Sequence, residues 1–285
     1  MPRKPGRCTT RCSLPTLVDH PLIASLGLES LGLEVLALLI GVAFLAGLID
    51  AIAGGGGLLV LPALLSAGLP PTAALATNKL QGVFGTLTAT LNFVHKGALK
   101  LREFGLAISL TFLGSVSGAT LVSRIGDAHL SALLPLLLIG FALYFLFSPR
   151  VGDIERTRRI GERSFAIAIG FGIGFYDGFF GPGTGAFFAF AYVALAGFSL
   201  TRATAHAKAL NFTSNLAAMI LFAVGGHTVW ALGLIMGIAQ IAGAWIGSHL
   251  VLRHGASLVR PALVTVSVIL SVRLLWQQMG GVSGP

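Results

Sequence analysis

Two lysines, Lys79 and Lys208, stand inside long apolar stretches of the chain. A lysine at the centre of a membrane helix costs roughly 2.5–3.5 kcal/mol, so such a residue usually faces a cavity or a charged partner. The sequence therefore predicts that the lysines provide a positive field for an anionic substrate. Two alternatives remain. Lys79 pairs with Asp50 and Lys208 with Asp177, which locks each half of the chain, or the lysines lie near helix ends and reach the membrane surface.

Each lysine is preceded by an aspartate and a run rich in glycine, which predicts a break in the helix. Four consecutive glycines cannot sustain a helix, and a proline removes a backbone donor. Irregular backbone at membrane depth occurs where it is buried in protein or lines a cavity, and the N-terminus of the following helix favours anions. Close helix packing through glycine is the alternative. The breaks supply these predicted substrate-binding residues: Gly54, Gly55, Gly56, Gly57, Gly181, Gly183 and Thr184.

Amide and hydroxyl side chains accompany the lysines and suit an oxyanion such as sulfonate, sulfite or carboxylate. Asn211 and Asn215 are one helical turn apart and share a face with Lys208. Asn78 precedes Lys79 directly, and we include all three asparagines in the predicted binding site. Interhelical hydrogen bonding is the alternative role for such side chains. Other polar residues on the same helices are Gln81, Asn92, Thr213 and Ser214.

Three titratable residues are predicted to couple ions or to form structural ion pairs. These are Asp50, Asp177 and His206, of which the histidine is a candidate proton relay because its pKa is ordinarily near neutrality. A hydrogen-bonded polar histidine without a transport role is the alternative. The spacing of histidine, cysteine and acidic residues does not indicate a metal site, and we expect neither a metal nor a cofactor.

The elements that carry these residues are predicted to come from an internal duplication. The offset in sequence between Lys79 and Lys208 also relates Gly114-x-x-x-Gly118 to Gly243-x-x-x-Gly247. Nearly the same offset, shorter by two positions, relates the two breaks. Paired glycine-interrupted segments in two halves of a chain indicate the binding site of a transporter. The two Gly-x-x-x-Gly pairs themselves are typical of close helix packing.

Composition places these elements in a membrane. The chain has 285 residues, of which 55% are hydrophobic and only 10% charged, and its mean hydropathy is +0.88. A soluble domain is about 25% charged, so this composition excludes a soluble domain and argues against a nucleic-acid binder. The net charge of +9 lies in tails and loops, as is usual beside a bilayer. Long unbroken apolar runs favour helices over a transmembrane barrel.

The predicted fold is an all-α, polytopic membrane protein of two repeats, each with about four membrane segments. The first segment of each repeat is broken at the glycine-rich stretch. The predicted boundaries are an N-terminal tail with little order at 1–30, a first repeat at 31–148, a charged central loop at 149–163, a second repeat at 164–278 and a C-terminal tail at 279–285. The apolar segments fall at 33–49, 57–69, 72–94, 104–123, 130–148, 164–176, 186–198, 201–224, 228–251 and 257–276.

Two geometries are open for each broken segment, because its two pieces are predicted to be short. A piece of about 12 residues reaches roughly 18 Å, a little over half of the hydrocarbon core. The pieces form a re-entrant hairpin, which leaves three full spans per half and inverted repeats. Alternatively they cross the membrane as one broken helix, which gives four spans per half and parallel repeats. We favour the hairpin, because inversion brings both breaks to the membrane midplane from opposite faces.

The motifs together resemble the sulfite exporter TauE/SafE family, also called the 4-toluene sulfonate uptake permease family. The resemblance is carried by the two breaks, by Pro62 and Pro71, by the Thr77-Asn78-Lys79 run and by the repeated Gly-x-x-x-Gly, and it covers about residues 33–276. It implies a transporter that moves small sulfur-containing anions such as sulfite, sulfoacetate or other organosulfonates. The second break contains Pro182 and Thr184 where the first has only glycine, so the halves are expected to contribute unequally.

The predicted function is that of an inner-membrane, multi-pass secondary transporter, an exporter or permease for sulfite, organosulfonate or related anions. The protein is not expected to be an enzyme. Its expected partners are a small anion, the lipid bilayer and a second copy in a homodimer, without nucleic acid. One alternative is a proton-coupled cation carrier that uses Asp50 and Asp177. The other is a membrane-embedded enzyme, which would need a nucleophile with a base or a metal cluster.

Overall fold

The computed structural model describes residues 32–99, 104–131, 133–134, 136–137 and 157–254. Within these ranges all regular elements are helical. The predicted tails, most of the predicted segment at 130–148, the first part of the charged central loop and the predicted segment at 257–276 lie outside the described residues.

The described helices follow the predicted apolar segments in order. They are α1 (Leu33–Ala53), α2 (Gly56–Ser66), α3 (Pro71–His95), α4 (Gly105–Ser123), α5 (Glu162–Phe165), a π-helical turn (Ala166–Phe171), α6 (Gly172–Phe179), α7 (Thr184–Ala194), α8 (Leu200–Val224) and α9 (Trp230–His254). Both breaks fall where the glycines predict them, between α1 and α2 and between α6 and α7.

Four of these helices, α1, α4, α8 and α9, are long and apolar enough to cross a membrane. A helix of about 20 residues reaches roughly 30 Å, the thickness of the hydrocarbon core. Large apolar side chains such as Leu113 and Ile238 are exposed on the outside of these helices, as lipid contact requires. The protein is therefore a multi-pass helical membrane protein. The expectation of short pieces is wrong before both breaks, because α1 has 21 residues and because α5, the π-helical turn and α6 run without interruption over 162–179. It is right after the breaks, where α2 and α7 have 11 residues each.

The chain turns back on itself at the first break. A Cβ placed on Gly56 would lie 2.7 Å from the carbonyl oxygen of Ala46 and 2.7 Å from Asp50 Cβ. Ala53 is about 10 Å farther along the helix than Ala46, because a helix rises 1.5 Å per residue. Gly56 follows Ala53 by only three residues, so the chain has reversed direction there. The chain therefore forms a hairpin at the first break, but its first arm is long enough to cross the membrane, unlike the two short re-entrant pieces that the sequence predicted.

Helices from the two halves of the chain pack against each other through glycine. A Cβ on Gly114 of α4 would lie closer than 3.0 Å to the carbonyl oxygen of Phe171, just before α6. A Cβ on Gly243 of α9 would lie equally close to the carbonyl oxygen of Phe44 in α1. The glycines let the backbones touch, which confirms the packing role predicted for the Gly-x-x-x-Gly pairs. Thus α4 packs on α6, and α9 packs on α1.

Candidate functional site

Two buried ion pairs join the halves of the chain. Lys79 Nζ lies 2.8 Å from Asp177 Oδ1, and Lys208 Nζ lies 3.0 Å from Asp50 Oδ2. The pairing within each half that was considered from the sequence is therefore wrong, because each lysine binds the aspartate of the other half. Both lysines are only 1% exposed, so neither extends to the membrane surface. The exchange of partners follows from the packing of α1 and α6 against helices of the opposite half.

The two glycine breaks lie against each other. A Cβ on Gly54 would come closer than 3.0 Å to the backbone nitrogen of Ala186, and a Cβ on Gly185 would lie 2.7 Å from Gly54 Cα. Gly54 also has a φ of +82°, which side-chain-bearing residues rarely adopt. Glycine is therefore required at this contact for its conformation and for its size.

Each aspartate is hydrogen-bonded to the helix that follows its break. The backbone N–H of Gly56, at the start of α2, donates to Asp50 Oδ1 at 3.3 Å. The hydroxyl of Thr184, at the start of α7, lies 2.7 Å from Asp177 Oδ1 and 2.6 Å from the carbonyl oxygen of Gly181, and its single proton can be donated to either acceptor. A carboxylate at a helix N-terminus is favourable because of the partial positive charge there. The aspartates thus position both the lysines and the short helices.

A polar cavity lies where the breaks meet the lysine-bearing helices. The residues that line it are Asp50, Gly54, Gly57, Asn78, Lys79, Gly82, Thr86, Asp177, Gly181, Gly183, Thr184, Asn211, Asn215 and Gln240. Its free volume is about 20 Å³, which is room for little more than one water-sized group. A sulfonate would enter only if side chains moved.

The asparagines of the cavity form hydrogen bonds within their own helices. Asn215 Nδ2 donates to Asn211 Oδ1 at 3.1 Å on α8, and Gln81 Nε2 donates to Asn78 Oδ1 at 3.2 Å on α3. Asn215 packs over Gly82, where a Cβ would lie 3.4 Å from the amide carbon Cγ. A Cβ at Gly82 would therefore make an ordinary van der Waals contact with this amide.

Four predicted site residues do not line the cavity: Gly55, Gly56, Lys208 and His206. Gly56 and Lys208 act on it through their bonds to Asp50. His206 is surrounded by the rings of Phe104, Tyr192 and Phe198, whose centroids lie 4.9–5.3 Å away. Its Nδ1 lies 2.9 Å from the carbonyl oxygen of Arg202. The candidate proton relay therefore lies in an aromatic cluster and does not line the cavity.

Three residues that line the cavity were missed in the sequence: Gly82, Thr86 and Gln240. The offset that relates Lys79 to Lys208 also relates Gly82 to Asn211 and Thr86 to Asn215. Because Asn211 and Asn215 were predicted site residues, the same offset could have identified Gly82 and Thr86. Gln240 is an amide in an apolar helix, and that was its only signal. It packs on two glycines, Gly47 and Gly85.

This arrangement of helices that cross a membrane around a buried, charged cavity defines a multi-pass membrane transporter. Comparison with known proteins agrees, because the sequence model of the sulfite exporter TauE/SafE family matches residues 39–274. The chain belongs to this family.

Several relatives align along nearly their whole length. The chain is 49% identical over 245 residues to Probable membrane transporter protein YfcA of Escherichia coli K12. This alignment covers 86% of the chain and 91% of the relative. The chain is 45% identical over 248 residues to a Probable membrane transporter protein of Haemophilus influenzae, covering 87% and 97%. No solved structure gives a significant match. The relatives' names thus state transport and leave the substrate open.

Proposed function

We propose that this protein is an inner-membrane secondary transporter of small anions, and that its substrates are sulfite, organosulfonates or related sulfur oxyanions. The observation that carries the proposal is the position of Lys79, a buried cation in the wall of a polar cavity beside a glycine break. Amides and hydroxyls of Asn78, Asn211 and Thr184 line the same cavity and can donate to oxyanion oxygens.

The charges of the site indicate that an entering anion competes with a carboxylate for a lysine. Two lysines and two aspartates cancel, so the ion-pair cluster has no net charge when all four are ionised. An incoming anion must therefore take the place of a carboxylate at a lysine. A cation carrier that uses Asp50 and Asp177 is the alternative, and in it an entering cation would take the place of a lysine at a carboxylate.

We also propose that the halves are repeats that rock against each other to give alternating access. The contacts of the glycines support this. Gly114 meets Phe171 and Gly243 meets Phe44, and these contacts are related by the same offsets that relate the sequence motifs. The substrate would lie between the repeats, where both breaks and both ion pairs converge.

Flux into proteoliposomes tests the anion function. Purified protein is tested with sulfite, sulfoacetate, taurine and sulfate, comparing wild type with Lys79→Ala and Lys208→Ala. Loss of a charged hydrogen bond to the anion is worth about 1.5–3 kcal/mol, so we expect Lys79→Ala to lower the flux of the transported anion about tenfold or more. Lys208→Ala acts indirectly, because Lys208 does not line the cavity and holds Asp50. Lys96→Ala is the matched control, because Lys96 is an exposed lysine at the end of the same helix as Lys79.

A second variant separates lost binding from lost folding. Lys79→Ala leaves Asp177 as a buried unpaired charge, which is strongly destabilising. The double variant Lys79→Ala/Asp177→Asn removes that charge, and its folding is checked by size-exclusion chromatography. Normal flux in a folded double variant, or no flux of any anion in wild type, would contradict the proposed function.

A further inference from the structure

The two ion pairs differ in how their carboxylates are satisfied. Asp50 uses both oxygens, since Oδ1 accepts from Gly56 N–H and Oδ2 accepts from Lys208. Asp177 uses only one, because Oδ1 accepts from Lys79 at 2.8 Å and is also the oxygen that lies 2.7 Å from the Thr184 hydroxyl. Asp177 Oδ2 is buried and receives no hydrogen bond from the described residues. The equivalent aspartates are therefore unequal.

The cavity is lined by the ion pair whose carboxylate has an oxygen without a hydrogen bond within the described part of the chain. Lys79 and Asp177 both line it, whereas of the other pair only Asp50 does. Gln240, which also lines the cavity, has a buried Oε1 that receives no hydrogen bond from the described residues. A buried acceptor without a donor is costly. A proton on Asp177 Oδ2 would turn the oxygen into a donor, for which an oxygen of the entering oxyanion is a suitable acceptor.

We infer that Asp177 is the proton-coupling residue of the transporter, and that the Lys208–Asp50 pair is a fixed link between the halves. This inference rests on the proposed anion function. When a monovalent anion enters, a proton from solution bonds to Asp177 Oδ2, and the Lys79–Oδ1 bond breaks. Lys79 then donates to the oxyanion. One negative and one positive charge enter together, so transport of one anion with one proton is electroneutral.

The groups around Asp177 make Lys79 its principal charged partner. From α3 it meets Lys79, and Asp50 of α1 lies in the same cavity wall but is held by Lys208 of α8. On its own helix the neighbouring Tyr176 hydroxyl donates to the carbonyl oxygen of Pro182.

Helix α8, which also packs on α6, carries two cations, Arg202 and Lys208. Arg202 is exposed and lies over the ring of Phe198, and Lys208 is held by Asp50. The segment Gly105–Ser123 contains no titratable side chain, and Tyr192 is the only one in Thr184–Ala194. His206 of α8 lies within its cluster of aromatic rings, away from the cavity lining. Protonation of Asp177 is thus coupled directly to the release of Lys79.

The test measures proton and anion movement together in proteoliposomes. Methanesulfonate is the probe, because its single charge does not titrate in the accessible pH range. In wild type, a gradient of one pH unit should drive about tenfold accumulation of the anion, since one unit is worth about 1.36 kcal/mol. Asp177→Asn should abolish this accumulation and the accompanying proton flux, while exchange of methanesulfonate across the membrane continues. Glu162→Gln changes an exposed carboxylate outside the cavity and is the control that should keep the coupling, whereas Asp50→Asn tests the other ion pair.

Infrared difference spectroscopy gives a readout that a purely structural role would not change. Adding methanesulfonate to detergent-purified wild type should produce a protonated-carboxyl band. The band should be present in Asp50→Asn and absent in Asp177→Asn. If wild type moves the anion without protons, or if Asp50→Asn rather than Asp177→Asn loses the band and the coupling, the inference is wrong and the proposed function stands. If wild type moves no anion of any kind, the proposed function fails.

Discussion

At the scale of single residues, the buried charges depend on partners that are far away in the chain. A charge that loses its buried partner costs about 3–5 kcal/mol, so Lys79 and Lys208 are tolerated only because Asp177 and Asp50 neutralise them. The close contact between the two breaks requires glycine there. Gly54 shows this most clearly, because it has both a left-handed conformation and no room for a side chain.

The steric role of Gly54 can be separated from its conformational role. Gly54→Ala adds a methyl group against the second break, where overpacking costs about 1–3 kcal/mol in addition to the strain of positive φ. Gly68→Ala is the matched control, because Gly68 has a φ of +88° but nothing within 4 Å of the added Cβ. We expect Gly54→Ala to lower the melting temperature in detergent clearly more than Gly68→Ala does. Equal losses would contradict the close contact of the breaks.

At the scale of elements, the start of α3 is held by a residue outside its own helix. The Thr72 hydroxyl donates to Asp127 Oδ1 at 2.6 Å, and the Thr72 backbone N–H donates to the same oxygen at 3.0 Å. Asp127 lies at the beginning of the short helical stretch that follows α4, and from there it caps α3. A carboxylate near a helix N-terminus is favourable. This contact fixes the start of α3, the helix whose Lys79 lines the cavity.

The contribution of Asp127 should depend on pH. The hydrogen bond from the Thr72 hydroxyl, followed by that from its backbone N–H, holds the pKa of Asp127 below its usual value of 3.8. Because the folded pKa is lowered, the stabilisation is present above the unfolded value and is lost as pH falls through the folded pKa. Asp127 is exposed, so we expect Asp127→Ala to cost only about 0.5 kcal/mol near neutral pH.

Thermal unfolding of wild type and Asp127→Ala, measured from neutral pH to below the usual aspartate pKa of 3.8, gives the contribution of the Asp127 cap to stability. The difference between the two proteins should shrink as the solution is acidified below the ordinary pKa of an aspartate. Asp127→Asn keeps an acceptor without the charge, so its stability relative to Asp127→Ala should not change with pH. A wild-type advantage that does not shrink on acidification would exclude the carboxylate charge as its source.

At the scale of the whole molecule, the halves are interleaved. Helix α9 packs on α1, α4 packs on α6, and both ion pairs cross between the halves. Neither half contains the partners of its own buried charges. In the proposed mechanism, the halves rock about their mutual contact while the fixed link holds them together.

Separating the halves should therefore abolish folding unless both are present. We expect a chain cut within the charged loop at 149–163 to assemble when its two fragments are co-expressed, and to recover anion flux in proteoliposomes. Each fragment alone should fail to give a monodisperse peak in size-exclusion chromatography, because it contains an unpaired buried lysine and an unpaired buried aspartate. A stable, monodisperse single fragment would contradict the interleaved arrangement.

The sequence by itself determined the class of protein, the positions of the helix breaks and most of the cavity residues. Hydropathy and glycine content act locally, so they locate spans and breaks without knowledge of the fold. The constant offset between the halves related the two lysines and could also have identified Gly82 and Thr86. The resemblance to the TauE/SafE family could also be recognised from the sequence, because each of its motifs is a short continuous run of residues.

Only the tertiary structure decided which charges meet. The partners Lys79 and Asp177 are 98 positions apart in the chain, and Lys208 and Asp50 are 158 apart, so no local pattern specifies the pairing. The same holds for Gln240, which reaches the cavity from α9. Side-chain geometry also left one oxygen of Asp177 without a donor among the described residues while satisfying both oxygens of Asp50. The physical reason is that helical spacing determines which face a residue lies on, whereas packing between the halves determines what that face contacts.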